Sequence, residues 1–251
     1  MNNSIFSKGL KLFFLFLVCL PGHAQEQALL PEKPKWEFHG NMQLNNNGIS
    51  PVPAFSLGRP ALMNTFYIKK GNFTFSPEYN FSLDARPWVL NQWVRYRIDQ
   101  NKTYYGLGAN FSQFYSRTDS EINGKKHVEQ TMDRYMAFEA LVGSQVSEKM
   151  GVRLVYWFST ALDPSGVSSG HFVMASLPLG PFGSPQKIHA RITPNLFYIN
   201  NTIPFKGLFT SAIGSVHSGK FPVSLFGQVV QPFKPDDVSK FNWNLGLNYT
   251  F

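Results

Sequence analysis

Cysteine is almost missing: Cys19 is the only one in 251 residues. Small secreted domains often lean on disulfides, and this chain has no pair to form one. With no second Cys and no spaced His/Asp cluster, thiolate and zinc sites are excluded, and no calcium-type loop is present. No metal and no cofactor is expected. Charged residues make up only 15 % of the chain, against about 25 % in ordinary globular proteins. Past the first two dozen residues no apolar run approaches the roughly 20 residues that a membrane helix needs. The Lys and Arg residues do not gather into one exposed patch, which argues against nucleic acid as a partner. Neither an internal repeat nor a linker divides the chain.

What is present begins with a secretory signal. Lys8 and Lys11 precede an apolar run from Leu12 to Leu20, and Gly22-His23-Ala24 is a small-x-small cleavage site. This assigns 1–24 to a removed signal peptide and 25–251 to one domain. Cys19 lies inside the run after Leu17 and Val18, where a lipidation site requires small residues. The net charge of +8 falls to +6 without the two signal lysines. That surplus is either a solvated surface or an interior that prefers anions.

Aromatic residues are abundant at 16 %, and they recur every second position. Trp36, Phe38, Met42 and Leu44 alternate with Glu37, His39, Asn41 and Gln43. Phe73, Phe75, Tyr79, Phe81 and Leu83 alternate with Thr74, Ser76, Glu78, Asn80 and Ser82, with Pro77 expected to disturb the ladder. Trp88, Leu90, Val94, Tyr96 and Ile98 oppose Val89, Asn91, Trp93, Arg95 and Arg97; Val152, Leu154, Tyr156 and Phe158 oppose Arg153, Val155 and Trp157. Period two over such lengths predicts strands with one apolar and one polar face. The pattern gives about twelve strands, ten being the alternative. Alternating faces also average to a neutral mean hydropathy, here −0.18, which on its own would suit a soluble chain.

The last dozen residues are the sharpest case. Phe241, Trp243, Leu245, Leu247, Tyr249 and Phe251 alternate with Asn242, Asn244, Gly246, Asn248 and Thr250. A final strand of this kind ending in Phe resembles the insertion signal of Gram-negative outer-membrane β-barrels, with Trp243, Leu245, Leu247, Tyr249 and Phe251 as the signal residues. The resemblance is to the class and not to one family. It implies an all-β, closed antiparallel transmembrane barrel, recognition by the β-barrel assembly machinery, and closure of the last strand against the first. Outer-membrane lipid is the implied surrounding and the bacterial outer membrane the implied location.

With both ends at the periplasmic side, the connections 45–60, 117–130, 163–170 and 232–239 fall outside and 70–72, 99–102, 147–150 and 217–220 inside. Long outside and short inside is the asymmetry of these barrels. Two connections break it: 84–87 is short and 181–186 is long. Trp36, Trp88, Trp243, Tyr249 and Phe251 suit aromatic girdles at the lipid interfaces. Arg95, Arg97, Arg153, Lys187, His189 and Arg191 point inward towards the periplasmic end, with Glu78 diagonal to Arg95 and within its reach.

Two roles follow for these inward residues. A basic constriction would make a narrow porin-like channel for small, anionic solutes. Paired with lumen acids, the same residues would fill a structural barrel whose loops 45–60 and 117–130 meet a partner. A lipid-modifying barrel enzyme would use Ser169 with His171 or His217 with Ser218, although neighbouring side chains on a strand face opposite ways. A soluble secreted β-protein is the alternative at the level of fold.

Overall fold

The computed structural model describes residues 34–49, 56–122, 125–166, 168–201, 206–234 and 240–251. The expected signal segment with its cleavage site, parts of the loops 45–60 and 232–239, and the stretch 202–205 lie outside these residues.

Thirteen strands follow one another: β1 (Trp36–Asn45), β2 (Ala61–Lys70), β3 (Phe73–Ser82), β4 (Pro87–Gln100), β5 (Thr103–Ile122), β6 (Lys125–Ser147), β7 (Met150–Ala161), β8 (Gly170–Ser176), β9 (Leu179–Gly183), β10 (Ile188–Asn201), β11 (Lys206–Ser218), β12 (Val223–Pro232) and β13 (Asn242–Thr250). Each pairs antiparallel with its neighbours, and β13 pairs with β1 from Asn41↔Thr250 to Asn45↔Gly246, so the sheet closes on itself. Closure leaves no open edge along the wall. Twelve positions encircle the lumen, because β8 and β9 occupy one between them. Both strands pair with β7 and β10, with Leu177 and Pro178 between them.

The distribution of apolar residues is the reverse of a soluble core. Phe38 is 68 % exposed, and Leu107, Leu225 and Leu245 are 55 to 56 % exposed on the outer wall. Ser76, Asn110, Glu139, Asn195 and Asn244 are buried inside. An apolar belt of this extent, with polar groups behind it, is the surface that lipid covers. The alternating pattern therefore forms a transmembrane barrel, and the soluble alternative does not describe it.

Several local features depart from the sequence reading. Trp88 was expected in the outer girdle but is buried; the register slips between Asn80↔Val89 and Phe81↔Pro87, and the bulge turns Trp88 off the regular alternation. The long connection expected at 117–130 is instead the upper part of the β5–β6 hairpin, paired from Arg117↔Gln130 to Ile122↔Lys125. At 20 and 23 residues, these strands are about twice the length needed to cross lipid. Pro77 does interrupt the β2–β3 ladder, which stops at Thr65↔Glu78 and resumes at Ile68↔Phe75. The anomalously long 181–186 connection disappears because β9 takes Leu179–Gly183. The turn below it closes with Lys187 N–H donating to Ser184 O at 3.0 Å.

Outside the membrane, two acids anchor the loop end. Asp163 accepts from the Arg134 guanidinium and from the Arg134 backbone N–H at 2.7 Å, which together hold its carboxyl below the usual range. Asp84, hydrogen-bonded to the Ser82 hydroxyl and near Arg86 and Arg117, is lowered in the same way.

Candidate functional site in the barrel lumen

Strand alternation sends Arg95, Arg97, Glu139, Arg153 and Trp157 to the interior, and the register sets who meets whom. Arg95 stands opposite Gly108, Gly108 opposite Glu139, and Glu139 opposite Trp157. With no side chain at Gly108, Arg95 reaches over β5: its Nε donates to Glu139 Oε1 at 2.8 Å, and its Nη1 to Ser76 Oγ at 2.8 Å. A Cβ at position 108 would sit 3.2 Å from both Arg95 Cγ and Glu139 Oε1. The other Glu139 oxygen accepts from Trp157 Nε1 at 2.7 Å, and the guanidinium lies 4.1 Å above the Trp93 ring. Arg95 therefore finds its carboxylate in Glu139, two strands away. Glu78, the partner expected from the sequence, instead accepts from Asn91 Nδ2 at 2.9 Å.

Below this band, Arg97 is held by Asp99 at 2.6 Å and stacks 3.9 Å over Tyr104. Arg153 differs from both. It makes no hydrogen bond or ion pair among the described residues, and its Nε is buried without a partner. Ser176, its cross-strand neighbour, also has a buried, unpartnered hydroxyl.

Above the band a chain of rings crosses the interior. Trp93 and Trp157 lie 5.6 Å apart, Trp157 and Phe172 4.7 Å, Phe172 and Phe197 5.6 Å, and Phe197 and Phe209 5.2 Å. Ile49, from the first loop, is 4 % exposed within this cluster, beside Ile199 and Val230. Between the rings and the turn end is a cavity of about 680 Å³, bordered by Glu78, Arg95, Arg97, Glu139, Arg153 and Phe197 among others.

Of the seven residues expected to set selectivity, Glu78, Arg95, Arg97 and Arg153 share this cavity, while Lys187, His189 and Arg191 do not line it. His189 stacks on His217 with centroids 5.0 Å apart, and Lys187 and Arg191 are exposed. The histidines weighed as enzyme candidates have other polar contacts. His171 Nδ1 lies 2.8 Å from Tyr156 Oη, and His217 Nε2 meets Ser215, two residues back on its own face, at 2.8 Å. The residues opposite that pair on β10 are His189 and Arg191, neither a carboxylate.

Glu139 and Ile49 were not anticipated as lumen residues. Glu139 is a charged residue on the inward beat between the outward Phe138 and Ala140, a signal legible once the facing is known. Ile49 lies in an irregular Asn- and Gly-rich loop, and no period marks it.

No protein-family model matches the chain, and no curated protein matches it. Among solved structures, an outer-membrane channel from Pseudomonas putida F1 is 12 % identical, with 92 % of this chain and 99 % of that one covered and a TM-score of 0.47. The trimer form of OmpT, an outer-membrane protein of Vibrio cholerae, is 6 % identical over 88 % and 100 % of the two chains, with a TM-score of 0.45. The β-domain of the Bordetella autotransporter BrkA is 8 % identical over 86 % and 98 %, with a TM-score of 0.39.

Proposed function

We propose that this chain is a narrow outer-membrane channel for small anionic solutes, reaching the membrane through its signal peptide and the β-barrel assembly machinery. One observation carries the reading: of the three arginines around the lumenal cavity, Arg95 and Arg97 are held by Glu139 and Asp99, while Arg153 has no acidic partner among the described residues. A lumenal guanidinium left without an acid attracts an anion and repels cations. The ring cluster over the cavity limits passage to solutes that displace or slip past it, which sets this barrel apart from an open, water-filled porin. The same ring cluster favours a second reading, a structural barrel with a filled lumen whose long β5–β6 hairpin meets a partner.

Current through single refolded barrels in a planar bilayer, with a salt gradient across it, separates the two. Small discrete steps with a reversal potential favouring anions are expected. Arg95→Ala with Arg97→Ala should shift that potential towards zero while the barrel still migrates as folded. A folded barrel that never conducts would sink the channel reading and leave the filled one.

A further inference from the structure

The ladders to β7 and β10 are interrupted where β8 gives way to β9. Pro178 in the gap and Pro194 on β10 carry no N–H, so neither can donate to the ladder. Three backbone bonds hold the seam there: Leu177 N–H donates to Pro194 O, Gly151 N–H to Pro178 O and Gly180 N–H to Lys149 O, each at 2.9 Å. On the lipid-facing side of this seam lies a groove of about 580 Å³. Its walls include Val142, Val152, Leu154, Ala175, Leu177 and Leu196. Val142, Val152, Leu154, Ala175 and Leu196 sit on the outward beat of their strands, and Leu177 lies exposed in the gap between β8 and β9. Lipid chains, not water, lie against this groove.

The groove and the lumenal cavity share two wall residues, Arg153 and Asn195. Ser176 stands between them in register, opposite Arg153 on one side and Asn195 on the other. Arg153 Nε and Ser176 Oγ are two of the three buried side-chain polar atoms without a partner among the described residues, and the third, His189 Nδ1, lies outside both the groove and the cavity. The other two arginines of the cavity each have a carboxylate, Arg95 in Glu139 and Arg97 in Asp99. Arg153 is half-buried with its Nε out of reach of water, and a cation partly withdrawn from water without an acid beside it favours an anion. An apolar slot leads to that guanidinium from the lipid side.

We propose that Arg153, Ser176 and Asn195 form the headgroup site of a single-chain anionic amphiphile whose tail lies in the outer groove, so that such a molecule passes between the lumen and the membrane through the β8–β9 seam. This rests on the reading of the lumen as an anion path and names the class of solute. The headgroup chemistry is a carboxylate or a phosphate, either of which accepts from a guanidinium and a hydroxyl together. The tail supplies affinity by leaving water for an apolar wall.

The test uses the folded barrel in neutral detergent and four probes: dodecanoate, dodecyl phosphate, dodecanol and butyrate. Dodecanoate, dodecyl phosphate or both should bind at least roughly tenfold more tightly than dodecanol, the worth of one charge-assisted contact. Butyrate, lacking the tail, should be weaker by about two orders of magnitude or more. Arg153→Gln should remove the preference for the charged probes and Arg153→Lys retain most of it. Ala175→Trp, which fills the groove from outside, should weaken the long probes alone. A dodecanoate with a photoreactive tail should label β7, β8 and β10 in preference to the rest of the belt. Undiminished binding to Arg153→Gln, or labels spread evenly around the wall, would overturn the proposal. Folding of each variant is read from its heat-shifted migration. Arg95 and Arg97 do not border the groove, so their effect on ion selectivity is measured independently. A silent barrel that still binds dodecanoate through Arg153 refutes conduction and leaves this site standing.

Discussion

Glu139 is buried to within 6 % of its surface, yet it carries a charge that two donors, Arg95 and Trp157, hold in place. Removing one partner of such a pair leaves the other charge stranded, and that usually costs more than the pair contributed. Glu139→Gln keeps the shape and loses the charge. It should destabilise the barrel by about 3 kcal/mol, read as a shift in the urea midpoint of refolded protein. Glu78→Gln, whose partner is the neutral Asn91 amide, should cost clearly less. Equal shifts in the two variants would mean that the Arg95–Glu139 contact does not organise the lumen. Alternation shows that Arg95 points inward. Which acid it reaches follows from an empty space at Gly108, and an empty space is visible only once three strands are in register.

At the level of the strand, closure depends on a glycine. Gly40 lies on the outward beat of β1 between Phe38 and Met42, and the Phe251 ring lies over it. A Cβ at Gly40 would sit 2.1 Å from Phe251 Cζ. The backbones of the two residues exchange hydrogen bonds of 2.8 and 3.0 Å. An aromatic ring covering a strand glycine restores packing that the glycine gives up. Gly40→Val should therefore lower the fraction of heat-shifted, folded barrel by severalfold, and Gly40→Ala combined with Phe251→Ala should recover part of it. Full folding of Gly40→Val would show that the ring has another place to go. The strands themselves were legible because each apolar beat faces lipid and each polar beat faces the lumen. Where that alternation failed, so did the reading: the bulge at Trp88, the hairpin at 117–130, whose polar strands stand clear of lipid, and the two short strands around Pro178.

For the whole molecule, the ring chain from Trp93 to Phe209 decides whether the lumen conducts. Its members come from β4, β7, β8, β10 and β11, and Ile49 joins them from a loop. Phe172→Ala, at its centre, removes the ring contacts to Trp157 and Phe197 together. Single-channel conductance should then rise severalfold over the unsubstituted barrel, with the preference for anions retained because the arginines are untouched. Unchanged conductance would place the constriction elsewhere.

Period two and a low charge content were enough to predict strands with one apolar and one largely polar face, and the likeness of the last strand to an outer-membrane insertion signal added a closed, lipid-facing barrel with arginines inside. These are local properties, since each strand reports its own two faces without reference to any other. The partner of Arg95, the isolation of Arg153, the rings across the lumen and the seam between β8 and β9 depend on the register of strands far apart in the chain. Sequence periodicity carries facing but not register, and so only the tertiary structure could decide them.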